Sequence, residues 1–462
     1  MSPGGSETRT NSTGSGGGAS PTPVGPIRVE RMVAGGLGLG HDDEGRVVLV
    51  EGGVPGDRVE VEVIEARPRL IRARLAQLLS PGGDRVTPPC PEVERGCGGC
   101  DLQHVESNAQ LGAKLAIVVD SLNHIARVTD PVVRPGPRLS PFGYRTTLRC
   151  GVDPRTGRLG FRSRASHDIH AVDNCMIAHP IADDIISAAR FPNATEVTVR
   201  VGARTGDRMV VVTGDPSGGT VPDGVTVVRA VDKPVGGRRA APPRRPTDSE
   251  GDSRERRRAK GADSHGVDFH GSDSGNVDTF INEMVAGRIF RISADSFFQA
   301  RPDGAEALID SVRLALADFD LRSDDLVDLY GGVGLFSGGL GAHRAEVVEI
   351  SPSAVADARV NLADLGARIT RSSAERWRPR KASYVVADPA RSGLGKAGAG
   401  VVDATGAHAV ALVSCDPASM ARDVRLLMGS GFELDWVEVI DMFPQTHHVE
   451  TVAALKRRSS PR

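Results

Sequence analysis

Asp325-Leu326-Val327-Asp328-Leu329-Tyr330 runs straight into Gly331-Gly332-Val333-Gly334. The first six residues read as a short buried strand, and the glycines after it allow a tight bend at its carboxyl end. A second strand, Ala345-Glu346-Val347-Val348, ends in Glu349, about 20 residues beyond Asp328, the spacing of the nucleoside-binding fingerprint of doubly wound α/β sheets. In that fingerprint the glycines let the ligand approach the backbone and the acid accepts the ribose hydroxyls. Ser337 occupies the place of the third glycine of the dinucleotide pattern. That substitution weighs against NAD or FAD and leaves S-adenosylmethionine, which has no pyrophosphate to cradle.

Two further strands end in polar signatures. Tyr384-Val385-Val386-Ala387 leads into Asp388-Pro389-Ala390-Arg391, and Val410-Ala411-Leu412-Val413 leads into Ser414-Cys415-Asp416-Pro417. Last comes Asp441-Met442-Phe443-Pro444-Gln445-Thr446-His447-His448-Val449-Glu450, ahead of a final apolar strand over 451–455. In a parallel sheet the ligand lies beyond the carboxyl ends of the strands, so Cys415 faces a cleft there. Taken singly, Cys415 is a small core residue at a strand end and Glu450 a surface carboxylate. Taken together, a cysteine, two carboxylates and a nucleoside fingerprint converge on one sheet edge.

Working back towards the N-terminus, residues 232–275 lose apolar content and gain Arg, Ser, Asp, Gly and Pro, which reads as a disordered insertion. Its basic knot at residues 254–260 reads as a solvated charge run. A β-rich stretch precedes it, with its clearest strands at 147–149, 158–162 and 196–201. Before that, residues 103–125 are helical in period, with Leu111, Leu115, Val118, Val119 and Leu122 on one face. Cys90, Cys97 and Cys100 lie close together, the last two as Cys-x-x-Cys with glycines between. This is a metal-loop pattern needing a fourth ligand, either Cys175 or Cys150, and four thiolates suit zinc or an iron–sulfur cluster. Residues 26–80 alternate in short strands with glycine turns, as in a small OB-type barrel. The last strand of that barrel carries Arg67, Arg69, Arg72 and Arg74, read either as a charged edge or as a phosphate grip. Residues 1–25 read as a disordered tail.

The 462 residues are too many for one ordinary core, so several domains are expected. The formal net charge of −2 does not by itself advertise a nucleic-acid binder. The chain has no apolar run long enough to span a membrane and no secretory h-region. Six cysteines in this length are no disulfide framework, and a cytoplasmic setting is expected.

These motifs resemble the RNA uracil-5 methyltransferase family, whose members make 5-methyluridine in transfer and ribosomal RNA. The match runs through Gln103-His104, Gln110-Leu111, Lys114, Ser296-Phe297-Phe298-Gln299, Asp328-Leu329-Tyr330, Asp388-Pro389, Ser414-Cys415 and His448-Val449-Glu450, in the family's order. The resemblance implies a multidomain α/β protein in three parts. The first is an OB-like TRAM β-barrel at 26–80. The second is a central β-rich domain at 81–290, with the cysteine loop and a helix near 104–127 packed on the catalytic domain. The third is a Rossmann-like class I methyltransferase at 291–458. It further implies Cys415 as nucleophile and Glu450 as base. Gln299, Tyr330, Gly332, Gly334, Glu349 and Asp388 are expected at the cofactor and the target base. Cys90, Cys97, Cys100 and Cys175 are expected around a 4Fe–4S cluster, with zinc as the alternative. Arg67, Arg69, Arg72, Arg74 and Phe297 are expected on RNA. The reading is a monomer acting on RNA, ribosomal rather than transfer. A non-catalytic RNA-binding or ribosome-assembly protein on the same fold is the competing reading. Arg301 stands where the family usually has asparagine, and Asp416 follows the nucleophile where the family has another. A carboxylate beside Cys415 is expected to raise the thiol pKa.

Overall fold

The computed structural model describes residues 24–164, 166, 168–230, 279–318, 320 and 322–458. The expected insertion at 232–275 and residues 1–23 of the expected tail lie outside the described residues, while the last two residues of that tail, Val24 and Gly25, belong to the first strand. The chain forms two compact units. One comprises the N-terminal residues to Pro89 with Asp101–Ile117 and Gln445–His447; the other comprises Cys90–Cys100, Val118–Pro444 and His448 onward.

The first unit is built on a closed barrel of β1 (Val24–Val33), β2 (Leu37–His41), β3 (Val47–Glu51), β4 (Arg58–Arg67) and β5 (Leu70–Ser80), ordered β1-β2-β3-β5-β4. Period-two alternation turns Ile27, Val29, Val48, Val50, Val59, Val61 and Ile71 into its buried core. Closure removes the edges that short strands would otherwise expose. The four arginines are not on one strand, as the sequence suggested. Arg67 ends β4, Arg69 lies in the turn, and Arg72 and Arg74 are on β5. In the same unit Met32, Val54, Leu102 and Val105 make a small second core. The side chain of Gln110 accepts the Gln445 N–H at 2.9 Å and donates to the Gln445 side chain at 3.1 Å.

In the second unit, α1 (Pro91–Glu94) belongs to the cysteine loop, and α2 (Ser107–Ser121), shared between the units, ends in a π-turn at Leu122–Ala126. A three-residue strand, β6 (Val133–Pro135), follows. β7 (Thr147–Val152), β8 (Leu159–Arg162), β9 (Ile169–Ala171), β10 (Ala194–Val201), β11 (Arg208–Gly214) and β12 (Thr226–Arg229) form one sheet ordered β12-β11-β10-β7-β8-β9, with α3 (Pro180–Ala188) after β9. A hairpin of β13 (Phe280–Val285) and β14 (Arg288–Ser293) leads to α4 (Pro302–Ala315).

Beyond α4 the chain alternates as the sequence indicates: β15 (Leu326–Leu329), α5 (Leu335–Leu340), β16 (Ala345–Glu349), α6 (Pro352–Asn361), β17 (Arg368–Arg371), β18 (Tyr384–Ala387), α7 (Gly395–Thr405), β19 (Ala409–Ser414), α8 (Pro417–Gly429), β20 (Phe432–Ile440) and β21 (Glu450–Arg457). The sheet order is β17-β16-β15-β18-β19-β21-β20-β6. β15 to β19 are parallel, and β21 enters antiparallel between β19 and β20. β6 adds parallel to β20, a strand the sequence reading missed because it is short and ends in proline. All six residues of β19 are buried, as both faces of a central parallel strand require. Each fully buried Val or Leu there contributes about 2 kcal/mol. The strand order reverses between β15 and β18, which opens a crevice beyond their carboxyl ends.

Candidate active site

The turn after β15 bends as its glycines allow. Tyr330, Gly332 and Gly334 all have left-handed φ, at 60°, 53° and 89°. A side chain would strain Gly334 most, since its Cβ would lie 2.7 Å from Leu362. Asp328 is fully buried, and its Oδ2 accepts the Ser337 N–H at 3.1 Å and the Ser337 hydroxyl at 2.6 Å. This is why a serine stands at the third glycine of the fingerprint. Oδ1 of Asp328 is buried without a partner, and burial pushes this carboxyl up to about 6. At the end of β16, Glu349 accepts the Gly332 N–H at 3.1 Å and the Ser351 N–H at 2.6 Å. Tyr330, half-buried, donates its hydroxyl to Glu375 at 3.1 Å.

Cys415 and Glu450 meet through strand pairing. Ser414 is the register partner of Thr451 across β19 and β21, and the Thr451 hydroxyl donates to the Ser414 carbonyl at 3.0 Å. The next residue outward on each strand is Cys415 on one and Glu450 on the other. Burial, then the charges of Glu450 and Asp388, push the Cys415 thiol up to about 11, while Arg391 pulls it down. Burial and Asp388 hold the Glu450 carboxyl well above the usual carboxylate range, again opposed by Arg391. Asp388, at the end of β18, is raised to about 7 by burial and by Asp328. Cys415, Glu450 and Asp388 therefore share one electrostatic environment.

Asp416 does not play the part expected of it. Its carboxylate caps α8, accepting the Ser419 N–H at 2.7 Å. The raising charges on Cys415 come from Glu450 and Asp388 instead.

Sequence reasoning also missed how α8 holds the loop after Asp388. The Ser419 hydroxyl donates to the Arg391 carbonyl at 2.8 Å, and Asp423 accepts the Leu394 and Gly395 N–H groups at 2.6 and 3.0 Å. Gly393 has φ +72°, and a Cβ there would lie 2.1 Å from Asp423 Oδ2. The signal was present in Asp416, Ser419 and Asp423, which are spaced three and four residues apart and so fall on one helical face.

Gln299 lies in the segment before α4 and is buried. Phe298 packs into the core 5.8 Å from Phe290, whereas Phe297 is 69% exposed. Arg301, at the N-cap of α4, is fully buried. It pairs with Asp303 at 2.6 Å and donates to the carbonyls of Ser140 and Met442.

Residues 25–76 match the TRAM domain, coinciding with the barrel. An RNA methyltransferase of Streptomyces coelicolor is 32% identical, over 93% of this chain and 92% of its own length. The chain belongs to the RNA methyltransferase family. A second member, from Halalkalibacterium halodurans, is 29% identical over 94% of this chain and 97% of its own. Among solved structures, the Pyrococcus abyssi tRNA (uracil-54, C5)-methyltransferase in complex with S-adenosyl-L-homocysteine has the same fold. The TM-score is 0.66 with 22% identity, covering 93% of this chain and 99% of that one. The membership expected from the motifs is borne out at the level of RNA methyltransferase, with the expected TRAM barrel at its N-terminal end.

The cysteine loop of the methyltransferase is zipped onto the end of β8: the Gly98 N–H donates to the Arg162 carbonyl at 3.0 Å and the Arg164 N–H to the Gly96 carbonyl at 3.0 Å. All six cysteines are free thiols. Cys90, Cys97 and Cys100 are buried and Cys175 is half-buried. The thiols of Cys90 and Cys97 interact electrostatically, as do those of Cys100 and Cys175. Burial raises Cys97, and raises Cys175 to about 12. The donor set therefore suits a thiolate-bound metal in chemistry and neighbourhood. Among the described residues, however, no three metal-ligating side chains are gathered as a ready metal site. Cys150 is fully buried on β7 among the Leu148 and Val197 side chains.

The barrel arginines are partly neutralised. Arg67 pairs with Glu65 at 2.8 Å, and Glu51, brought alongside by the parallel pairing of β3 with β5, lies 3.9 Å from Arg72 and 3.6 Å from Arg74. Only the cross-strand geometry reveals Glu51 as their partner. No described helix is long and apolar enough to cross a membrane.

Proposed function

We propose that this methyltransferase forms 5-methyluridine in RNA, using S-adenosylmethionine, with Cys415 as nucleophile and Glu450 as base. The observation that carries the reading is the pairing of Ser414 with Thr451, which sets Cys415 and Glu450 side by side beyond paired strand ends. The crevice between β15 and β18 suits the cofactor. Its glycine turn leaves Gly332 without a heavy atom within 4 Å of a Cβ position, and each Glu349 oxygen accepts only one backbone N–H. When bound there, S-adenosylmethionine supplies an electrophilic methyl group. Asp388, Tyr330 and Gln299 are proposed to orient the base and the cofactor.

Carbon 5 of uracil is a weak nucleophile, so the ring needs activation. The Cys415 thiolate adds to carbon 6, and the electron pair moves onto the carbonyl and carbon 5. Carbon 5 would then accept the methyl group as its bond to the sulfonium sulfur breaks, leaving S-adenosylhomocysteine as a neutral thioether. Glu450 removes the proton left on carbon 5, the double bond re-forms, and the Cys415 thiolate departs. A carboxylate with a raised pKa is the stronger base for that last step. To reach the site the uracil must leave its stack, at a cost of about a few kcal/mol. Phe297, exposed beside the buried Phe298 and Gln299, is proposed to stack against the displaced strand.

Cys90, Cys97, Cys100 and Cys175 are proposed to hold a 4Fe–4S cluster, with zinc as the alternative, in a structural role. The proposed target is ribosomal RNA, on the strength of the barrel and the cysteine loop. Incubating the protein with labelled cofactor and undermodified RNA tests the reaction. Methyl transfer is expected, abolished in Cys415→Ala, whereas Glu450→Gln is expected to accumulate an RNA adduct that survives denaturation. Methylation by Cys415→Ala would overturn the mechanism. Mapping 5-methyluridine in ribosomal and transfer RNA from cells with and without the gene decides the target.

A further inference from the structure

At the end of the catalytic sheet, β17 and the segment after it carry Arg368, Arg371, Arg376, Arg378, Arg380 and Lys381. Glu375 is the one acid among them, and it is turned to the Tyr330 hydroxyl. In a chain of net charge −2, this is a strong local excess of positive charge.

The basic segment is also held in place. Glu346 on β16 is buried beneath it, accepting the Trp377 indole N–H at 3.0 Å and the Thr370 hydroxyl at 2.8 Å. That anchor fixes a cleft of about 480 Å³ between β17 and the segment 376–380. Glu346 lies 3.4 Å from Arg368 and 3.7 Å from Arg380, so those two cations are partly neutralised. Arg376 and Arg378 line the cleft, are exposed and make no ion pair with any described residue, whereas Arg371, next to Thr370 on the strand, falls on the opposite face. A charge run that only keeps a surface soluble has no need of a buried Glu–Trp anchor or of a cleft.

The position adds to the argument. β17 ends on the same sheet edge as β19, four strands away in the order β17-β16-β15-β18-β19. At about 4.8 Å per strand, β17 lies roughly 19 Å across the sheet from the strand that presents Cys415. A few nucleotides of single strand cover that distance. Guanidinium groups pair bidentately with phosphate oxygens, and neutralising phosphates releases counterions.

We propose that this cleft, with Arg376 and Arg378 at its rim, binds the phosphodiester backbone of the substrate RNA flanking the reacting uridine. The proposal rests on the RNA substrate given under Proposed function.

The test compares the full-length protein with two double variants, Arg376→Gln/Arg378→Gln and the corresponding glutamates. Each is titrated into a fluorescein-labelled, uridine-containing oligoribonucleotide at several KCl concentrations. Affinity is expected to fall roughly tenfold in the glutamine variant and further in the glutamate variant. The slope of log affinity against log salt is expected to shrink by about 1.4 in the glutamine variant, for two lost contacts at about 0.7 each. Melting temperatures should match wild type, since the two side chains are exposed. Unchanged affinity and slope in both folded variants would overturn the proposal. Wild-type protein that binds RNA through this patch yet transfers no methyl group would refute the proposed reaction and leave the patch standing. Methylation with patch-independent affinity would do the reverse.

Discussion

The guanidinium of Arg301 lies 4.4 Å from the ring centroid of Tyr144, and each residue holds one carbonyl of the segment that leads to Glu450. Arg301 donates to Met442 at 3.3 Å, and the Tyr144 hydroxyl donates to Pro444 at 3.0 Å. The arginine that departs from the family's usual asparagine is therefore a strut beneath the segment carrying the proposed base. Arg301→Ala is expected to cost about 2–3 kcal/mol, the worth of its charged hydrogen bonds, because the exposed part of Asp303 regains water. Tyr144→Phe removes one hydrogen bond and is expected to cost about 1 kcal/mol. If the strut positions Glu450, Arg301→Ala also lowers kcat roughly ten- to a hundredfold, with the KM for cofactor unchanged and partial rescue by Arg301→Lys. Denaturant melts and steady-state kinetics on the same samples separate the two effects.

The Cys415 thiol is pushed up to about 11, so the free protein holds it almost wholly protonated at neutral pH. Only the thiolate alkylates. The rate of Cys415 modification by iodoacetamide, followed by mass spectrometry of its peptide, should keep rising with pH towards 11. An ordinary cysteine would level off about two units lower, near 8.5 to 9. Glu450 and Asp388 both contribute to the rise, so Glu450→Gln and Asp388→Asn should each move the midpoint down. A midpoint near 8.5 in the wild type, or one unmoved by both variants, would contradict the shared electrostatic environment.

Asp416 caps α8 through its bond to the Ser419 N–H. Asn caps as well as Asp, and Ala does not. Asp416→Asn should keep wild-type stability to within a few tenths of a kcal/mol and leave the Cys415 alkylation midpoint in place. Asp416→Ala should lose about 1 kcal/mol in a denaturant melt. A large fall in the thiol midpoint with Asp416→Asn would show that this carboxylate acts on Cys415 after all.

The parts of this site legible in the sequence are those whose chemistry is local. A strand ending in a glycine turn, in Asp388-Pro389 or in Ser414-Cys415 announces itself within a few residues, because backbone period and turn chemistry are short-range. The parts that escaped are long-range. Arg301 meets Ser140 and Met442 from far along the chain, Glu51 reaches Arg74 through strand pairing, and Asp423 reaches back to Leu394. Asp416 was misread for the same reason in reverse. Adjacency in sequence suggested adjacency of charge, whereas the start of a helix turned its side chain to the backbone of Ser419.

The cysteine loop offers a last test, of which thiols form the proposed metal site. Cys175 packs against a buried cluster of Cys100, Tyr144 and Ile177, Cys97 lies between the two glycines zipped onto β8, and Cys90 opens the short helix before them. Cys150 is buried in the core of its own sheet beside Leu148 and Val197, a cluster that also holds Cys97 and packs against Cys175. Protein purified without oxygen should be brown and carry iron held by thiolates. Cys97→Ala and Cys175→Ala should each lose the colour and most of the iron. Cys150→Ala should keep both, while losing roughly 1 kcal/mol from the small cavity left in a packed core. A colourless preparation with stoichiometric zinc would replace the cluster by a zinc site on the same thiolates. Retention of iron by Cys175→Ala together with its loss in Cys150→Ala would move the fourth ligand from the turn before α3 to the strand β7.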